Sequence, residues 1–149
     1  MLRIELDMAD AERLLALRGR EVATKVDGAG ALIAEVRGIS VLGFGSLTAR
    51  ARIGPLQCGA DGMCTAQAEV LDVAGITIGR SLVAKKLLGL LRAKEIPDLT
   101  VDVERNRLAF DTAACLARRA PQLVGYRAIE AEFVDRSGSA AICLSLAAG

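Results

Sequence analysis

The stretch RSLVAKKLLGLLRAKEIP, residues 80–97, predicts an amphipathic helix around which the rest of the chain can be arranged. At about 100° per residue, Ser81, Lys85, Lys86 and Arg92 fall on one side of this helix. The opposite arc, about 160° wide, is purely aliphatic and holds Val83, Ala84, Leu87, Leu88, Leu90 and Leu91. Pro97 ends the helix because it has no backbone N–H to donate. So broad an aliphatic face must pack against a protein core, an apolar ligand or a membrane surface.

Strand patterns lie on both sides of this helix. Residues 46–54, SLTARARIG, alternate cleanly, and residues 64–73, CTAQAEVLDV, do the same. Residues 99–110 predict a hairpin that turns at ERNR. Residues 124–148 predict a second hairpin that turns at DRSGS, and Ile129 and Phe133 share one face of its first strand.

Shorter elements complete the chain. Residues 2–6 alternate as a first strand, residues 8–19 predict a short helix, and VDGAGA at residues 26–31 predicts a turn. Residues 111–121 predict another short helix, capped by Asp111 or Thr112 and ended by Pro121. Strands dominate and many are joined as hairpins. We therefore expect one α+β domain over residues 1–149, with an antiparallel sheet wrapped around the amphipathic helix.

The composition closes most routes to catalysis. The chain of 149 residues contains no histidine, which removes Ser-His-Asp and Cys-His catalysis and imidazole metal ligation. Two carboxylate pairs, Glu130 with Glu132 and Asp102 with Glu104, lie by strand parity opposite the aliphatic faces, where solvated charges belong. We therefore predict a protein that is not an enzyme and has no metal or cofactor.

The charge balance argues against a nucleic-acid partner. The chain has 19 basic and 18 acidic residues, for a net charge of +1, whereas a nucleic-acid footprint needs a basic excess on one face. With three Phe, one Tyr and no Trp, few side chains could stack on bases.

Four cysteines, Cys58, Cys64, Cys115 and Cys143, form no CxxC pair and match no common zinc spacing. The charged N-terminus does not fit a signal peptide, and no apolar window approaches the roughly 18 residues of a membrane span. We therefore expect a cytoplasmic protein with reduced thiols. A disulfide between Cys58 and Cys64 is expected only if a secretion leader has been removed.

The aliphatic surface is the feature that suggests a function. Hydrophobic residues reach 52% of the chain, but aromatic residues only 3%. Helix and sheet could meet as a filled core, or they could enclose a slot for an acyl chain, which gains about 0.8 kcal/mol per buried methylene. The slot interpretation predicts non-catalytic binding of a lipid or other apolar ligand, with transfer between membranes. Its wall residues are Leu47, Ala49, Ala51, Ile53, Val83, Leu87, Leu90, Leu91, Val101, Leu108, Phe110, Ile129 and Phe133.

The order of elements in residues 96–146 supports the same interpretation. A strand, a turn, a strand reading RLAFD, a short helix and two long closing strands follow one another. This order resembles the C-terminal part of the tubular lipid-binding (TULIP) superfamily, especially its short bacterial members, and the helix SLVAKKLLGLLRAKEI fits the long helix of such domains. The resemblance implies a strongly curved antiparallel sheet in a TULIP-like half-barrel. It also implies a carrier of hydrophobic ligands without catalytic residues, and many such carriers pair end to end.

A second interpretation is a self-associating structural or adaptor module, whose sheet edges and aliphatic patches form a subunit interface. It predicts a fixed oligomer and no co-purifying lipid. A variant of the lipid interpretation places the basic side of the long helix against anionic headgroups, as a peripheral membrane contact. We expect a homo-oligomer in either case.

Overall fold

In a computed structural model of the protein, the described residues are 2–7, 22–40, 46–75, 79–136 and 139–148. The helix predicted over residues 8–19 lies outside these ranges. The described part contains ten β-strands and two α-helices. The strands are β1 Leu2–Asp7, β2 Val22–Val26, β3 Leu32–Ser40, β4 Ser46–Ile53, β5 Gln57–Cys58, β6 Met63–Ala74, β7 Leu99–Asp102, β8 Arg107–Asp111, β9 Tyr126–Arg136 and β10 Ser139–Ala148. The helices are α1 Arg80–Ala93 and α2 Thr112–Arg119, and a 3₁₀ turn at Pro121–Leu123 follows α2.

Seven strands form one antiparallel sheet. Its order is β2-β3-β4-β6-β8-β7, and the short strand β5 also pairs with β6. Cys64, Ala66, Ala68 and Val70 of β6 are buried and alternate with more exposed residues, as the sequence predicted. Two predicted elements, the strand at residues 46–53 and the hairpin of β7 and β8, are also confirmed.

The other three strands form a second antiparallel sheet, in which β10 lies between β1 and β9. Its register shifts at one point, because Ser145 pairs with Glu130 but Leu146 pairs with Ala128. Ile129 is therefore the extra residue of a β-bulge, which reverses the inward and outward parity of the strand. Ala128 is fully buried and Ile129 is 37% exposed. The predicted shared face thus holds for Phe133, which is buried, but is wrong for Ile129.

Both helices in the described part match the predicted ones closely. Helix α1 buries Val83, Ala84 and Leu88, as expected for a helix whose aliphatic arc faces the sheet. Helix α2 is capped by Asp111, whose carboxylate accepts a hydrogen bond of 3.0 Å from the backbone N–H of Ala114. The cap satisfies a backbone donor that the first turn of a helix leaves free.

A disulfide links the two sheet strands that flank a short turn. Cys58 of β5 lies directly opposite Cys64 of β6, with 4.2 Å between their Cα atoms. The expectation of four reduced thiols is therefore wrong for this pair, because the pairing of β5 with β6 brings the two cysteines together. Cys115 and Cys143 are free and buried.

The fold is α+β and mostly antiparallel, as the sequence predicted. Within the described ranges, neither sheet closes on itself. The buried residues form four clusters. One joins α1 to β3 and β4, and another joins α2 to the small sheet. The remaining two lie where Phe133 meets β3 and where α1 meets β6 and β7.

Asp27 holds the turn between β2 and β3. Its carboxylate accepts hydrogen bonds of 2.9 Å from the backbone N–H groups of Ala29 and Ala31, and Arg52 Nε donates to it at 3.1 Å. These contacts favour the charged carboxylate, the bond from Ala31 most of all, and they lower the pKa of Asp27. Residues 27–30 are thus a turn, as predicted.

We expect Asp27→Asn to lower the stability of the protein at neutral pH and to lower it less in acid. Because folding lowers the pKa of Asp27, its stabilising contribution is present above the unfolded-state pKa of about 3.9. That contribution is lost as the pH falls through the lower folded-state pKa. Urea unfolding midpoints of wild type and variant should differ at neutral pH and converge in acid, as the pH falls through the lowered folded-state pKa of Asp27. A difference of the same size in acid would show that the carboxylate charge does not stabilise the turn.

Candidate functional site

An apolar cavity of about 320 Å³ lies between helix α1 and the inner face of the large sheet. Helix α1 contributes Ala84, Leu87, Leu88, Leu90 and Leu91 to its wall, and Leu56, Ile96, Phe133 and Ile142 add to it. The remaining lining residues lie on strands of the large sheet: Val22, Thr24, Leu32, Ala34, Val36, Ala51, Ile53, Cys64, Ala66, Ala68, Glu69, Val70, Leu99, Leu108 and Phe110.

Small side chains on the sheet explain why space remains beneath α1. Ala34 pairs with Ala51 across β3 and β4, and Ala51 pairs with Val70 of β6. The helix itself is held by Val83 and Leu88, which are buried in two different packed clusters. Alanine extends only one carbon above a sheet, so these floor positions do not reach the helix as larger side chains would.

The cavity is open to solvent as well as apolar. More than half of its lining residues are only half-buried. They include large side chains from both sides of the cavity, namely Leu87, Leu90, Leu91, Leu99, Leu108 and Phe110. Half-exposed apolar side chains around a concave surface are typical of a site that binds an apolar partner.

The wall offers little polar chemistry. The hydroxyl oxygen of Thr24 already accepts a hydrogen bond from the backbone N–H of Ala140 at 3.4 Å. Cys64 is in the disulfide. Glu69 is exposed and alternates along β6 with the inward-facing Ala68 and Val70, so its carboxylate belongs to the other face of the sheet. The cavity therefore suits a ligand that has nothing to hydrogen-bond.

The structure brings most of the thirteen predicted wall residues together. Eight of them line the cavity: Ala51, Ile53, Leu87, Leu90, Leu91, Leu108, Phe110 and Phe133. Five do not. Leu47, Ala49 and Val83 are buried in the cluster that joins α1 to β3 and β4, and Val101 is buried in the cluster beside β7. Ile129 lies on the bulge of β9, away from the cavity.

The predicted wall residues do not include the part of the floor that comes from β2 and β3. Residues 22–26, VATKV, alternate as a strand should, with Val22 and Thr24 in the wall. Leu32, Ala34 and Val36 alternate on β3 in the same way. Period-two alternation could have identified both sets. The position of Phe133 and Ile142 beside them depends on how the second sheet packs against the first, and no local pattern in the sequence predicts that packing.

The candidate catalytic groups lie apart from the cavity. Glu132 pairs with Arg3 at 3.0 Å, and Asp102 accepts a hydrogen bond from the backbone N–H of Arg105 at 3.1 Å. Burial raises the pKa of the Cys115 thiol, so the thiol stays protonated at neutral pH. Among the described side chains, no group of three or more His, Cys, Asp or Glu could hold a metal ion.

No helix in the described ranges has the length and apolar character needed to cross a membrane. No family model matches the chain, and neither a curated protein nor a solved structure matches it. The cavity and its wall are therefore the features of the molecule that indicate a function.

Proposed function

We propose that the protein binds a lipid or another apolar ligand without catalysing a reaction, and that it carries this ligand in the cavity beneath α1. The observation that supports the proposal is an apolar cavity of about 320 Å³ that the side chains of the described residues do not fill. A volume of this size falls within the usual range of small-molecule sites, roughly 300–1,000 Å³.

The driving force for binding would be the removal of an alkyl chain from water. Each buried methylene contributes about 0.8 kcal/mol, which corresponds to about a fourfold gain in affinity. A water molecule inside the cavity would find few hydrogen-bond partners on the apolar wall, so the cavity favours an alkyl ligand over water. Orientation would come from the shape of the cavity rather than from a polar contact.

The cavity volume limits the length of the bound chain. A dry protein cavity of about 150 Å³ is large enough for benzene, which has six carbon atoms. By proportion, about 320 Å³ holds one alkyl chain of about a dozen carbons. We therefore propose a single-chain ligand, or one chain of a larger lipid.

A series of neutral n-alkyl alcohols that displace an apolar fluorescent dye tests this proposal. Affinity should rise about fourfold per methylene and level off near a dozen carbons, because further methylenes stay in water. Native mass spectrometry of the purified protein, with denaturing extraction, would identify a resident acyl species. The self-association interpretation replaces this one if no alcohol displaces the dye and native mass spectrometry shows a fixed oligomer with the mass of the protein alone.

In the variant Ala51→Leu, we expect the affinity of the alcohol series to level off at about nine carbons instead of about a dozen. Ala51 lines the cavity, and its replacement adds an isopropyl group to the floor. Ala109→Leu is the matched control, because Ala109 lies between two lining residues of β8 but does not itself line the cavity. The alcohol series should level off at the wild-type length in this control. Equal shortening in both variants would show that the effect is not steric filling of the cavity.

Several expectations from the sequence remain predictions. The TULIP resemblance of residues 96–146, the strongly curved half-barrel and the homo-oligomer are among them, and the alkyl-binding argument depends on none of these. The predicted cytoplasmic location is another. The Cys58–Cys64 disulfide is chemistry more typical of an oxidising compartment.

A further inference from the structure

The outer face of α1 concentrates positive charge. Lys85, Lys86 and Arg92 are exposed on the side of the helix away from the cavity, and Arg80 is exposed at its first turn. The helix contains no Asp or Glu. Within the described part of the chain, none of these four cations forms an ion pair or a hydrogen bond through its side chain.

Most arginines elsewhere in the described ranges are paired with carboxylates. Seven arginines outside α1 form ion pairs with carboxylates, for example Arg50 with Asp72 at 2.7 Å and Arg136 with Glu5 at 3.0 Å. The whole chain carries a net charge of +1, while α1 alone carries +4. The rest of the chain is therefore net acidic at −3, which makes α1 the attractive face for an anionic surface.

The same helix forms one wall of the cavity. Leu87, Leu90 and Leu91 line the cavity on its inner side, and a helix with its side chains is only about 10–12 Å across. Leu82 is 43% exposed on the outer side, close to the lysines. A surface that holds α1 by its cations thus lies within one helix diameter of the apolar site.

We propose that the protein docks on an anionic lipid bilayer through the outer, positively charged face of α1. The proposal deepens the proposed function and rests on it for the cargo, since a bilayer is a source of the alkyl chains that fit the cavity. Charge complementarity selects a bilayer with anionic headgroups, and the scarcity of large apolar side chains on the outer face favours surface attachment over insertion.

Docking of this kind is electrostatic and sensitive to salt. Each Lys or Arg near an anionic membrane surface strengthens binding about fivefold. The interaction fades within a Debye length, about 10 Å at 0.1 M salt and 3 Å at 1 M. Co-sedimentation with vesicles of phosphatidylcholine containing about 30% phosphatidylserine should therefore show binding at low salt, and release near 1 M salt. Vesicles of phosphatidylcholine alone should bind much less.

The variant Lys85→Gln/Lys86→Gln should weaken vesicle binding about 25-fold. Lys25→Gln/Arg119→Gln is the matched control, because it removes the same charge from exposed positions on β2 and α2. This control should bind within about threefold of wild type. Equal losses in the two double variants would show that net charge, rather than the α1 face, attracts the vesicles, and would overturn the proposal.

Two other outcomes also overturn it. Binding to phosphatidylcholine vesicles that equals binding to the anionic ones would remove the electrostatic basis. Tight binding of a duplex oligonucleotide that depends on Lys85 and Lys86 and displaces the vesicles would make the face a nucleic-acid interface. Alcohol binding is measured without vesicles, so a failure of docking leaves the test of the cavity intact.

Discussion

Val83→Asp is expected to unfold the protein or to leave it barely stable. Val83 is fully buried and packs with Val36, Leu47 and Val70 where α1 meets the large sheet. The substitution forfeits about 1.5–3 kcal/mol of apolar burial and places a carboxylate where it has no partner, which costs several kcal/mol more. A total above about 4 kcal/mol is a large fraction of the roughly 5–15 kcal/mol that stabilises a typical domain.

Thermal unfolding followed by circular dichroism checks this expectation. A folded remnant should melt about 8–16 °C below wild type, and it should regain stability in acid, because protonation removes the buried charge. Leu82→Asp is the matched control, since Leu82 is the preceding residue and is 43% exposed. It should melt within a few degrees of wild type. If Val83→Asp is as stable as this control, the packing of Val83 against the large sheet does not stabilise the protein.

The periodicity of the sequence was enough to place most elements of the described fold. The aliphatic arc of residues 83–91 predicted α1, and the strict alternation of Cys64, Ala66, Ala68 and Val70 predicted the inward face of β6. Asp111 and Thr112 were the two predicted caps of α2, because the side chain of either can satisfy a free N–H of the first turn, and Asp111 is the one that does so. These are local properties, in which each residue interacts with neighbours a few positions away.

Features that depend on distant pairing were not predictable. Ile129 has the right parity to face inward, and only its pairing against β10 reveals the bulge that turns it outward. Likewise β5 is two residues long, and only its partner β6 makes it a strand and brings Cys58 to Cys64. A local pattern does not contain the register of a partner strand.

The same limit applies to the candidate site. Val83 and Leu90 both belong to the aliphatic arc of α1, and the sequence treated them as equivalent wall residues. In the structure Val83 is core, whereas Leu90 lines the cavity. Val83 packs in a cluster with Val36 and Leu47, whereas the wall to which Leu90 belongs also includes the short side chains of Ala34 and Ala51.

Leu90→Asp is therefore expected to abolish alkyl binding while the protein stays folded. Leu90 is half-buried and lines the cavity. Among the described residues it is not one of the side chains packed against the four buried clusters, whereas Leu87 and Leu91 are. The new carboxylate can reach water at the cavity mouth, so the loss of stability should stay near 1–2 kcal/mol, or about 2–8 °C in melting temperature.

The effect on binding should be much larger. A bound chain loses its contact with Leu90, about 1.5–3 kcal/mol, and also strips water from the carboxylate, about 1–3 kcal/mol more. Together these losses, about 2.5–6 kcal/mol, weaken the binding of n-decanol at least about 70-fold. Because decanol is neutral, the loss cannot come from repulsion of a charged ligand. Leu82→Asp adds the same charge to the outer side of α1 and should bind decanol like wild type, and Leu90→Met should bind within a few-fold. If Leu90→Asp stays folded and still binds decanol at wild-type strength, the cavity beneath α1 is not the alkyl site.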